Sequence, residues 1–132
     1  MKNMSPRLKN LTLHWLPLIA YCALIYIQSA YPAPEKLPSF ILMDKMLHFG
    51  AYALMGILFY RAYQTLPYWP HRQILILFSM VSASLYGISD EIHQHFVPSR
   101  NADMLDVLAD TIGAVCGVYL YQLWARQHEP AG

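Results

Sequence analysis

At 132 residues the chain has room for one domain, and it is 56% hydrophobic and only 13% charged, about half the charged share of an average soluble domain. A soluble fold this short could not hide so much apolar surface. The net charge of +1, with no dense basic cluster, argues against a nucleic-acid partner.

A membrane helix needs about 20 mostly apolar residues. Four stretches qualify, running from about Leu11 to Ala30, Met46 to Thr65, Ile74 to Gln94 and Met104 to Arg126. The breaks between them, 31–45, 66–72 and 96–103, are rich in proline and charge. Pro32, Pro34 and Pro38 make the first break extended, because proline lacks a donor and biases its predecessor away from helix. The first stretch also has signal-peptide features: Lys2, Arg7 and Lys9 precede it, and Ser29-Ala30 is a weak cleavage site. Its length and the bulk of Trp15 and Tyr21 favour a retained helix. Cys22 and Cys116 sit inside apolar runs, so buried free thiols are expected rather than a disulfide. The expected fold is an all-α, four-helix transmembrane bundle, one domain over residues 1–132.

Cytoplasmic ends carry the excess of Lys and Arg. With the N-terminus inside, Lys2, Arg7, Lys9, Arg61, Arg72 and Arg126 fall inside, against Lys36, Lys45 and Arg100 outside. This bias predicts both termini in the cytoplasm. The acids divide more sharply. Glu35, Asp44, Asp90, Glu91, Asp103, Asp106 and Asp110 all fall toward the outer side, and only Glu129 lies inside. Acids contribute little to topology, so this skew needs another cause. Solubility of the outer loops accounts for Glu35 and Asp103. It does not account for Glu91 or for Asp110, about 10 Å deeper than Asp103 at 1.5 Å per residue. Carboxylates in a membrane helix are costly and face a cavity or a partner.

Three segments bring polar groups to that side. Asp44, His48 and Tyr52 are four apart and form one helical stripe. Asp44 is placed to cap the helix and hold one His48 ring nitrogen, leaving the other for chemistry. An interfacial cap beside a packed histidine explains these residues equally well. In 86–94, Gly87, Glu91 and Gln94 share one face and Tyr86, Asp90 and His93 the next. Close packing at the glycine face predicts Glu91 and Gln94 inward and Asp90 flanking. Finally Asp103, Asp106, Asp110, Gly113 and Gly117 form one stripe, whose small-xxx-small pair admits a neighbouring backbone. Asp106 and Asp110 are thus expected to point into the bundle. The glycine pair could serve inside the chain or make a homo-oligomer. Arg100 is the cationic partner for these acids or for an anion such as phosphate. A purely structural ion-pair network is the plainer reading of the set, but such pairs are poor sources of stability.

The blocks Asp44-Lys45-x-x-His48-x-x-x-Tyr52, Tyr86…Asp90-Glu91-x-x-Gln94-x-Phe96-x-Pro98-x-Arg100 and Asp106-x-x-x-Asp110-x-x-Gly113-x-x-x-Gly117 together resemble the VanZ-like family of bacterial membrane proteins. The resemblance covers Asp44 to Gly117. It implies a multi-pass protein of the bacterial cytoplasmic (inner) membrane. The family takes its name from a member associated with low-level teicoplanin resistance, which implies a cell-envelope role and an effect on glycopeptide susceptibility. A distant fold comparison relates such proteins to enzymes acting on phospholipid head groups, an argument by analogy.

Three functions fit these residues. The first is an enzyme acting on a phosphate-bearing lipid or lipid-linked cell-wall precursor, as a phosphodiester hydrolase or transferase. There His48, oriented by Asp44, is base or nucleophile and Glu91 the complementary acid or base. Arg100 and Lys45 hold the phosphate, with Gln94 and Tyr52 in the same substrate-binding set. Asp106 and Asp110 are candidate ligands for a divalent cation, Mg²⁺ or Ca²⁺ by their hard oxygens, with Mn²⁺ or Zn²⁺ open if a histidine joins them. The second is a protein that binds or shields a head group or glycopeptide without turnover. The third is a small proton-coupled transporter subunit, disfavoured because the acids stop at the outer half.

Overall fold

The computed structural model describes residues 4–32 and 41–128. Lys2, Pro34, Glu35, Lys36, Pro38 and Glu129, with their expected places in the loops and termini, lie outside the described residues.

Four helices are long and apolar enough to cross a membrane: α1 (Pro6–Ser29), α2 (Ile41–Tyr63), α3 (Arg72–His95) and α4 (Met104–Gln127). At 1.5 Å per residue a 24-residue helix reaches about 36 Å, enough for a hydrocarbon core of about 30 Å. No strand occurs among the described residues, so the all-α, four-span expectation holds. Two starts differ from it. α2 begins at Ile41, so Asp44 lies within its first turn rather than at its cap. Charge had excluded Asp44 and Lys45 from the apolar run, but Lys45 is neutralised by Asp103 and Asp106. α1 begins at Pro6, where Ser5 Oγ accepts the Leu8 amide at 3.3 Å, a capped start with proline in the first turn.

Inside α1 the segment Leu11–Trp15 is π-helical, with the Leu16 amide donating to the Leu11 carbonyl. Pro17 causes this. It has no N–H, and its ring crowds the carbonyl four residues back, so the register widens by one residue. That crowded carbonyl, of Leu13, accepts from Arg61 Nη2 on α2 at 3.3 Å. In a membrane a freed backbone carbonyl needs such a partner.

The helices run up, down, up, down, so α2 and α4 are parallel to each other. Their contact is backbone against backbone. A Cβ on Gly113 would sit 2.2 Å from the Phe49 carbonyl oxygen, and one on Gly117 would sit 2.1 Å from that of Ala53. Gly56 on α2 answers them, 2.8 Å by the same measure from the Ala114 carbonyl. The close approach of the Gly113–Gly117 pair is therefore made within the chain. α1 docks through tyrosine and tryptophan donors: Tyr21 to the Ala51 carbonyl at 3.0 Å, Trp15 to Thr65 at 3.1 Å, and Tyr86 to the Cys22 carbonyl at 2.6 Å. Cys22 and Cys116 are free and half-buried.

Large apolar side chains such as Ile19, Leu24, Phe78 and Leu120 point outward. The interior holds Tyr52, Met55, Ala83 and Ala114, together with Asp90, Glu91, Gln94, Asp106 and Asp110. This is the reverse of a soluble protein's polarity and suits a lipid surround.

Candidate functional site

The acids gather where α1 and α3 end and α2 and α4 begin. Asp103 caps α4, its Oδ1 accepting the Leu105 amide at 2.9 Å. Its Oδ2 meets Lys45 Nζ at 2.6 Å, and its own amide donates to Glu91 Oε2 at 3.0 Å. One residue thus joins three helices. A turn deeper, buried Asp106 also takes Lys45, at 2.5 Å, and its other oxygen lies 3.8 Å from His48 Nε2. Deeper again, Asp110 is 0% exposed, with Oδ1 2.9 Å from His48 Nδ1. An ionised carboxylate can only accept, so opposite an ionised Asp110 the proton sits on Nδ1. In a neutral ring that leaves Nε2, 3.8 Å from Asp106 Oδ2, as the acceptor nitrogen; a charged ring carries a proton on both. Gly87 makes room for this pair: a Cβ there would stand 3.0 Å from Asp110 Oδ2 and 3.2 Å from the Tyr52 ring.

A second network lies beside the first. Asp90 Oδ2 accepts from Tyr52 at 3.3 Å and from Gln94 Nε2 at 3.0 Å. Gln94 Oε1 in turn accepts from Arg100 at 3.2 Å. Arg100 also donates to the Tyr31 and Gln28 carbonyls, at 2.8 and 3.1 Å, where α1 ends. A turn presents it: the Arg100 amide donates to the Val97 carbonyl at 3.2 Å, with Pro98 second and Ser99 third at φ 63°. Proline and a positive φ at these positions are the signature of a type II turn.

Four expectations change. The partner that fixes His48 is Asp110, not Asp44, because helix α4 packs its acidic stripe directly over the α2 stripe. Asp44 remains close, its carboxylate within 4.8 Å of a His48 nitrogen and of Asp106. Asp90 is not flanking: it is buried alongside Glu91 and Gln94. Its spacing of four from Gln94 was the available signal, since i and i+4 share a face. Asp103 is no solubilising loop residue but the joint between α2, α3 and α4; its position just ahead of an apolar run marked it as a cap. The predicted Arg100 partnership with the acids also differs in detail, since its recorded hydrogen bonds go to Gln94 and to the end of α1.

The remaining stripe expectations hold. Asp106, Asp110, Gly113 and Gly117 are buried on one face of α4, and Tyr52 is buried below His48. Two groups could hold a cation: His48, Glu91 and Asp110, or Asp44, His48 and Asp106. Asp106 and Asp110 fall in different groups, with His48 common to both. Among the described residues, the buried atoms Glu91 Oε1 and Asp110 Oδ2 have no hydrogen-bond partner.

No curated protein and no solved structure matches the chain. The family described as VanZ/LLP1 matches over residues 7–125, a range that takes in all three motif blocks and most of α1. With nearly its whole length matched and four helices long and apolar enough to cross a membrane, the chain belongs to the VanZ/LLP1 family.

Proposed function

We propose that this protein engages the phosphate-bearing head group of a membrane lipid or lipid-linked envelope precursor at the end of the bundle carrying His48, with that end facing outward. The observation that carries the reading is a histidine held between two buried carboxylates, Asp106 and Asp110, inside helices whose outer surfaces are apolar. Intramembrane acids are expensive and are kept where they serve a site. The site lies at one end of the spans, level with head groups when the helices cross a bilayer. Lipid reaching it laterally would meet Lys45, whose side chain is 19% exposed and shared between Asp103 and Asp106.

In this reading His48 Nε2 is the general base or nucleophile. Asp110 is its positioning residue, fixing ring and tautomer through Nδ1. Glu91, one oxygen of which is anchored by the Asp103 amide, is the complementary acid or base. Tyr52, Gln94 and Arg100 shape the wall around Asp90 and tie it to α1. The outward orientation rests on the Lys and Arg bias of the connecting segments.

Mass spectrometry of lipids and envelope precursors in cells with and without the protein tests this. A head-group change restored by the wild-type chain and not by His48→Ala supports turnover. Identical profiles in all three cultures contradict it. Ligand-dependent thermal stabilisation with no change in ligand mass would assign the same site to binding alone. Teicoplanin susceptibility of the same strains reads out any consequence for the envelope.

A further inference from the structure

We infer that His48, Glu91 and Asp110 form a binding site for one divalent metal ion of the Mn²⁺ or Zn²⁺ type. This deepens the head-group reading and rests on it for the ion's role, though not for the ion's presence.

Three observations converge. One donor atom from each residue lies within 4.8 Å of the other two. A metal about 2.0–2.4 Å from each ligand holds donors no more than about 4.8 Å apart, so the spacing suits a shared ion. An ion there takes the place of the Nδ1 proton, so that the 2.9 Å between His48 Nδ1 and Asp110 Oδ1 becomes the edge expected for two ligands at right angles, each about 2.1 Å from a metal. His48 then serves as ligand rather than base in the loaded form. Second, Glu91 and Asp110 are 4% and 0% exposed, yet Glu91 Oε1 and Asp110 Oδ2 are buried without a hydrogen-bond partner among the described residues. Buried polar atoms are nearly always satisfied, and an orphan calls for an ion, a ligand or an ordered water beside it. Third, charge favours it. Among the described residues, Asp106 and Asp110 pair with Lys45 and His48, and Lys45 is shared between Asp103 and Asp106. A phosphate would meet a net negative wall unless a cation bridged it.

The donor set selects the metal. One imidazole nitrogen with two carboxylates suits Mn²⁺ or Zn²⁺ better than Mg²⁺ or Ca²⁺, which favour oxygen alone. The second group, Asp44 with His48 and Asp106, is the weaker candidate because Asp106 is engaged by Lys45. Around the primary group, the Asp103 amide on Glu91 Oε2 acts as the orienting partner that ligating carboxylates need.

The test uses the purified full chain in detergent, stripped with chelator and titrated with Mn²⁺ alone while electron paramagnetic resonance counts free ion. The structure predicts about one Mn²⁺ per chain, displaced by Zn²⁺, with ¹⁴N coupling from imidazole in the wild-type protein. Affinity falls at least ~10-fold in Glu91→Gln and Asp110→Asn and changes little in Asp44→Asn. Absence of saturable binding, or bound ion without ¹⁴N coupling, would overturn the inference. So would loss in Asp44→Asn with full binding in Glu91→Gln. No lipid is present, so a failed titration leaves the head-group reading to its own assay.

Discussion

Lys45 shows how one residue can carry very different energies toward two partners. Asp103 is 42% exposed in its side chain and Asp106 only 3%, so water screens the first pair and not the second. Asp103→Asn should cost at most about 1 kcal/mol from the ion pair itself. Lys45→Met strands the buried Asp106 charge and should cost about 3–5 kcal/mol. Thermal or denaturant unfolding in detergent compares the two, and equal losses would show that burial does not set the strength of these pairs. His48 makes the opposite kind of prediction. His48→Ala leaves the buried Asp110 without its partner and should itself cost about 1–3 kcal/mol, but its main effect is on head-group turnover, lowered about 100-fold or more, measured on purified chain. At this scale the sequence was most informative about which residues face inward, since the three- and four-residue steps on α2 and α4 register directly as stripes. It was least informative about partners. Whether Asp44 or Asp110 would hold His48 depended on how α4 sits on α2, which periodicity within one helix does not encode.

The contact between α2 and α4 makes the site. The backbones meet at Gly113 and Gly117, and this draws Asp106 and Asp110 over Lys45 and His48. Gly113→Ala and Gly117→Ala would each drive a Cβ to about 2 Å from a carbonyl oxygen. The helices must then separate, so both variants should lower the unfolding midpoint and weaken the site together. Gly50→Ala is the matched control. Its Cβ would meet nothing within 4 Å, and alanine favours helix over glycine by up to about 1 kcal/mol. It should be neutral or stabilising, and a loss as large as that of Gly113→Ala would refute close packing as the cause. The glycine pair was legible as a packing face from its spacing. Its partner was not, because a small-xxx-small pair serves contacts within or between chains equally well.

On the scale of the whole molecule, four apolar spans and their order were plain from composition, since a membrane helix advertises itself by length alone. Orientation comes from the Lys and Arg bias and has a direct check. With Cys22 and Cys116 replaced by serine, Asn101→Cys lies in the exposed α3–α4 turn and Tyr68→Cys in the exposed α2–α3 turn at the opposite end. A membrane-impermeant maleimide should label Asn101→Cys in intact cells and Tyr68→Cys only after permeabilisation; the reverse pattern would turn the site toward the cytoplasm. The central claim is that the His48 end handles a phosphate-bearing head group. Its most direct measurement supplies the purified chain in nanodiscs with head-group-labelled phospholipid or lipid-linked precursor and follows bound and converted label. The account predicts saturable binding or a released head-group product with wild-type protein and its loss in His48→Ala. Equal signals from the two proteins, or none from either across both lipid classes with and without added Mn²⁺, would contradict it.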